Sequence, residues 1–136
     1  MKENNNVNSK LTMQDLVFSQ MSYELKKKVE DKEFKTSISV KYAEKKEDKN
    51  QVRVIIDTII TNDEDTLRVY LQTVGYFKLD AENIDAATAE QILKKNTVAI
   101  MFPYIRSQVS LITTQPSMTP ILLPAIDVNL LVDCQN

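Results

Sequence analysis

The sequence predicts an α+β fold, a four-stranded antiparallel sheet with helices packed on one face. Two observations carry that reading. Four runs between Leu16 and Leu79 alternate apolar and polar side chains, the period of a strand whose successive residues point to opposite faces. From Ala81 onward the chain turns to alanine, glutamine, glutamate, leucine and lysine, which favour helix. The second to fourth runs are joined by polar segments short enough for hairpins, which makes the sheet antiparallel. One of its faces is continuously apolar and the other mixed, so a cover is needed on one side only.

The 136 residues suggest one domain, 1–136, in which residues 1 to 10 are polar and asparagine-rich and read as a disordered, frayed terminus rather than a separate unit. The first strand spans Leu16 to Leu25, with Val17, Met21, Tyr23 and Leu25 on one side and Gln20, Ser22 and Glu24 on the other. Lys26 to Glu33 is a mixed charge run and reads as a solvated connection. The second strand sets Phe34, Thr36, Ile38, Val40 and Tyr42 on one face. The third does the same with Val52, Val54, Ile56, Thr58 and Ile60, and the fourth with Leu67, Val69, Leu71, Thr73, Phe77 and Leu79. The lone Gly75 interrupts this last run, where a bulge or a close backbone approach and a shifted register are expected. Asp63, Glu64 and Asp65 fall together in a polar turn and read as a hairpin tip rather than an acid–base pair.

Asp85 to Lys95 is a helix, Asn96 and Thr97 are a break and new cap, and a second helix runs from about Val98 to Thr114. The apolar positions of that second helix, Ile100, Met101, Tyr104, Ile105, Val109, Leu111 and Ile112, cover more of its circumference than a one-sided helix needs. It is therefore expected to have two partners, its own sheet and another subunit. The segment from Met118 to Val132 is strongly apolar and is either core or a binding surface.

Composition narrows the function. There is no histidine and one glycine, which removes the usual neutral-pH acid–base group, the commonest zinc ligand and a glycine-rich phosphate cradle. An enzyme is discounted, and neither cofactor nor metal is expected. With 17 basic and 19 acidic residues the net charge is −2, no field for gathering nucleic acid. A single cysteine, Cys134, gives no internal disulfide and suits a reducing compartment. The N-terminus carries no apolar signal core and no run reaches membrane-spanning length, so the expected location is the cytoplasm, without membrane insertion.

Two stretches are more specific. Phe102-Pro103-Tyr104-Ile105-Arg106 followed by Pro120-Ile121-Leu122-Leu123-Pro124-Ala125-Ile126 resembles the paired motifs of SecB, the tetrameric bacterial export chaperone, and the order of four strands, long helix, proline-bracketed loop and short closing helix is similar. The resemblance implies a dimer of dimers, or a dimer, with the helices between the sheets. It implies an ATP-independent holdase that keeps preproteins or nascent chains unfolded for export and passes them to the SecA motor. By position it nominates Phe34, Tyr42, Leu122, Leu123, Ile126, Leu130 and Leu131 as contacts to unfolded polypeptide clients. It nominates Val17, Ile100, Tyr104, Ile105 and Val109 for the oligomer interface and Glu24 for docking the motor. The charged crossover Lys26 to Glu33 lacks the family's aromatic residues and prolines. Gln20 and Tyr70 stand where docking acids are expected, and the acidic tail after the last helix is missing. These departures weaken the link to SecA more than the link to chaperone activity. They leave two alternatives: a dedicated chaperone of one partner, such as an antitoxin, or a scaffold module of the same fold.

Overall fold

The alternation becomes four long strands in the computed structural model, which describes residues 9–28, 33–45, 47–81 and 84–124. They are β1 (Ser9–Leu25), β2 (Lys35–Lys45), β3 (Asp48–Thr61) and β4 (Leu67–Ala81), in the all-antiparallel order β1-β4-β3-β2. β1 and β2 are thus the two edges, and the end of β1 and the start of β2 lie at the same end of the sheet. Hairpins join β2 to β3 and β3 to β4. The second is tied by the buried Asn62, whose Oδ1 accepts the Thr66 and Leu67 amides at 2.9 and 3.1 Å. Asp65 in that turn takes the left-handed conformation, φ 55°, which Asp tolerates better than most residues.

One unbroken helix, α1 (Ala86–Ile112), covers the apolar face among the described residues. This overturns the expected break at Asn96 and Thr97. Asp85 caps the helix by accepting the Thr88 amide, and the carboxyl is held below its usual range by that bond. Thr97 is buried and donates its hydroxyl to the Leu93 carbonyl, so its polar atom is satisfied inside the helix and the turn continues. Pro103 also lies within α1. It and Ala99 are both exposed, so the carbonyl that loses its donor to proline is on the solvent side.

The core is Val52, Val54, Ile56 and Ile60 of β3, Leu67, Leu71, Phe77 and Leu79 of β4, and Leu93, Met101, Ile105 and Val109 of α1, with others. Tyr42 of β2 reaches across to donate to the Lys94 carbonyl at 2.7 Å, pinning the far edge of the sheet to the helix. Burial pushes its phenol up to about 12.

Gly75 does not shift the register. β3 pairs with β4 without interruption from Gln51↔Lys78 to Thr61↔Arg68. Its role is the close approach: a Cβ there would lie 2.7 Å from Phe77 Cε1 and 2.9 Å from Met101 Sδ. The irregularities are in β1, between Met13 and Asp15 and between Phe18 and Gln20. Each extra residue flips the side-chain parity, and that is why β1 begins earlier than its alternation suggests. Ser9 and Lys10 belong to it, and Leu11, Met13, Leu16 and Phe18 pack on the core. The same flip separates Val17, opposite Val74 on the outer face, from Met21, Tyr23 and Leu25, whose partners Leu71, Val69 and Leu67 belong to the core. Residues 1 to 8 and the closing helix expected beyond Pro124 lie outside the described residues.

Candidate functional site

The chain after α1 returns along the helix it has just left. Thr113 is buried at the helix C-terminus; its Oγ1 donates to the Val109 carbonyl at 2.7 Å and accepts the Ile121 amide at 2.8 Å. Two residues on, the Leu123 carbonyl accepts from Arg106 Nε at 3.0 Å. Pro120 and Pro124 bracket this segment and keep it from becoming helix. Between the two anchors the side chains alternate: Ile121 and Leu123 are buried, and Leu122 points out, 75% exposed. The arginine of the Phe-Pro-Tyr-x-Arg stretch therefore has a mechanical job, holding the apolar segment beside α1.

Between the segment and the helix lies a groove of about 500 Å³, lined by Pro103, Arg106, Ser107, Ser110, Leu111 and the two leucines Leu122 and Leu123. Three leucines and a proline give it apolar surface, and two serines and Arg106 add polar groups. Leu111 is 68% exposed and the nearby Tyr104 48% exposed, so among the described residues α1 keeps two large apolar side chains in the open on its outward side. No titratable pair lines it, and among the described residues no cluster of three metal-ligating side chains occurs. The site offers apolar contact, hydroxyl groups and one guanidinium, which suits an extended chain better than a small reacting molecule.

Of the client contacts nominated from sequence, Leu122 lines the groove with its side chain free, while Leu123 is mostly spent on the core. Phe34 and Tyr42 are partly buried against the core on the β2 side and do not reach the groove. Ile126, Leu130 and Leu131 lie outside the described residues. Of the nominated interface residues, Ile105 and Val109 are completely buried against the chain's own sheet and have nothing left to offer a second subunit. Ile100 is partly buried on the core, Tyr104 faces outward, and Val17 lies on the other side of the sheet. Glu24 is exposed and stands opposite Arg68. Leu111, Ser107 and Ser110 were not singled out from sequence as lining a site. Helical spacing carries the signal: Tyr104, Ser107 and Leu111 recur at three and four residues on the side away from Met101, Ile105 and Val109.

The sequence matches the family model of SecB, described as preprotein translocase subunit SecB, over residues 4–135. The chain belongs to the SecB family. An uncharacterized protein of Methanocaldococcus jannaschii is 40% identical over 62 residues, which span 44% of this chain and 39% of that protein. The chain thus matches about two fifths of that relative's length. Among solved structures, a SecB-like chaperone of Mycobacterium tuberculosis in complex with a ChAD peptide from the HigA1 antitoxin superposes with a TM-score of 0.69. It is 14% identical, and the match covers 86% of this chain and 88% of that one. A protein of unknown function from Streptococcus agalactiae gives a TM-score of 0.54 at 10% identity, covering 86% and 98%. At these identities the likeness is one of fold: the sheet and helix described above are those of a SecB-like protein. Membership of the SecB family supports a chaperone function. No helix among the described residues is long and apolar enough to cross a membrane.

Proposed function

We propose that the chain is an ATP-independent holdase that binds unfolded preproteins or nascent chains. The observation that carries this reading is the open apolar groove beside α1, walled by Leu111 and Leu122 in a member of the SecB family. A holdase has to bind many sequences weakly along their apolar stretches. The exposed Leu111 and Leu122 beside Ser107 and Ser110 do that without a shaped pocket. Assembly as a dimer or tetramer belongs to the same proposal. The long edge of β1 and the outward Tyr104 are where a second copy would meet the chain. The test is suppression of aggregation of several unrelated unfolded proteins, with mass and client co-elution followed by light scattering. A mass near four times 15.6 kDa with bound client supports the reading. A chain that ignores every unfolded protein contradicts it.

A second reading is favoured by a specific observation. The M. tuberculosis SecB-like chaperone was solved with an antitoxin peptide, and on the outer sheet face of this chain Gln20 and Tyr70 are neutral where the resemblance expects docking acids. Asp57 accepts from Tyr70 Oη at 2.7 Å and from Gln72 Nε2 at 3.0 Å; the bond to Asp57 raises Tyr70 above the usual phenol range. A dedicated chaperone of one partner, with no SecA docking, fits that face. Capture of one client to the exclusion of the rest would select it.

A further inference from the structure

The groove beside α1 carries one charge. From Thr97 to Pro124, through the later part of the helix and the strap that returns along it, every side chain is uncharged except Arg106. Arg106 lines the groove with Ser107, Ser110, Leu111 and Leu122 and is exposed there. Its Nε donates to the Leu123 carbonyl at 3.0 Å, and among the described residues the guanidinium forms no ion pair. A guanidinium has five N–H donors in a rigid fork, so the bond to Leu123 fixes the group in the groove and leaves four donors for a ligand.

No carboxylate lines the groove to balance that charge. The negative end of α1 is already engaged: Thr113 Oγ1 donates to the Val109 carbonyl at 2.7 Å and Thr114 Oγ1 to the Ser110 carbonyl at 2.6 Å. On the flank of the helix toward β1 the polar groups are the neutral Gln108 and Gln115, bonded to Met21 and Tyr23. The acids associated with α1 stand at its other end, where Asp85 caps the first turn and Glu90 pairs with Lys94 at 2.9 Å. Those of the β3–β4 turn are at the tip of that hairpin, where Asp63 pairs with Lys35 at 3.3 Å. Asp127, the next acid along the chain from the strap, lies outside the described residues.

We propose that Arg106 makes the groove selective: among extended apolar segments it prefers those with a glutamate or aspartate set between apolar residues. This rests on the holdase reading of the same groove and narrows its clients. The apolar side chains of the segment lie against Leu111 and Leu122, and the carboxylate meets the two terminal nitrogens of Arg106, a pair that can hold both its oxygens in parallel bonds. Pro103 and Leu111 line the groove on either side of Arg106 along the helix, so the carboxylate comes from within a segment rather than from its end. A lysine or arginine at that place in the segment meets a like charge and is disfavoured.

The probes are three fluorescent synthetic peptides of equal length, leucines alternating with serines around a central glutamate, glutamine or lysine, titrated by anisotropy at low salt. Arg106 itself is kept, because its bond to Leu123 holds the strap; the charge of the groove is changed at the exposed Ser107 instead. Ser107→Glu and Ser107→Lys are verified as folded by circular dichroism. Each protein is read as the ratio of its affinities for the glutamate and glutamine peptides, so a change in overall capture cancels. Wild type should favour glutamate over glutamine by about three- to fivefold, the size of an exposed charge pair, with lysine weakest. The preference should fade toward about 1 M salt, vanish in Ser107→Glu and grow in Ser107→Lys. Leu111→Ser should weaken all three peptides. Equal affinities in wild type, a ratio unmoved by either Ser107 variant, a preference that emerges only in Asp127→Asn, or undiminished binding to Leu111→Ser overturns the proposal. Capture of the glutamate and glutamine peptides alike overturns it while the holdase reading stands. Loss of all three overturns it too, and the holdase reading is then decided by suppression of aggregation.

Discussion

Tyr104 and Ile105 are neighbours in sequence and opposites in structure. Ile105 lies with Met101 and Val109 against the sheet and is wholly buried, while Tyr104 lies with Ser107 and Leu111 on the side that the described residues leave open. Steps of four keep the first set on one face, and steps of three and four keep the second on the other. A helix apolar over so much of its circumference is therefore two surfaces with separate jobs. The inward one is satisfied by the chain itself. Among the described residues the outward one meets a short proline-bracketed strap, held by Arg106 and Thr113, with a groove between.

The sharpest way to break this comparison is to charge the inward face. Ile105→Glu buries an unpaired carboxylate and should cost about 3–5 kcal/mol, enough to unfold a marginal domain. A folded, cooperative variant in a urea titration would mean that α1 is not seated as described. Gly75→Val comes next. Overlap with Phe77 and Met101 should cost about 1–3 kcal/mol despite valine's preference for strands, and Met101→Ala in the same chain should recover part of it. If the single valine variant melts at or above wild type, the close approach is not a constraint.

Tyr42→Phe is a smaller test of the same inward packing. Loss of the bond to the Lys94 carbonyl should cost about 1 kcal/mol at neutral pH. The phenol's folded value, about 12, lies above its ordinary value of 10.0, so the folded state holds the proton more tightly. Its contribution is complete below the unfolded value and is lost as pH rises from there through the folded one. Wild type should thus lose stability across that alkaline window, and the phenylalanine variant should lose less; parallel pH profiles would contradict the assignment. Tyr104→Glu should have the least effect on stability, within about 0.5 kcal/mol. Its readout is mass by light scattering, which should fall if the outward face joins subunits and stay unchanged if it does not.

Much of the fold was legible. Period-two patterns in β2, β3 and β4 placed their inward residues correctly because those strands pair without a bulge along almost all their length. β1 was harder: two extra residues reset its parity, so the alternation was followed only from Leu16 and Val17 was grouped with Met21, though the two face opposite ways. Asn96-Thr97 read as a cap because both residues favour helix starts. Only the buried environment shows that Thr97 bonds back to Leu93 instead. The site was half legible. The paired proline motifs marked the strap and its arginine, but not that alternation would send Leu123 into the core and leave Leu122 outside. Composition alone cannot divide an apolar helix into a packed side and an open one; the wheel can, once the sheet's position is known.

The central claim is that the outward face of α1 and its strap capture unfolded chains while the inward face holds the fold. The most direct measurement is co-elution of a reduced, permanently unfolded client with wild type and with the Leu111→Ser, Leu122→Ser double variant, under light scattering. Both replaced side chains are largely exposed, so the variant should stay folded. The account predicts that wild type carries the client and that the variant, with unchanged circular dichroism, carries little or none. A folded variant that binds the client as well as wild type would contradict it, as would a wild type that binds none.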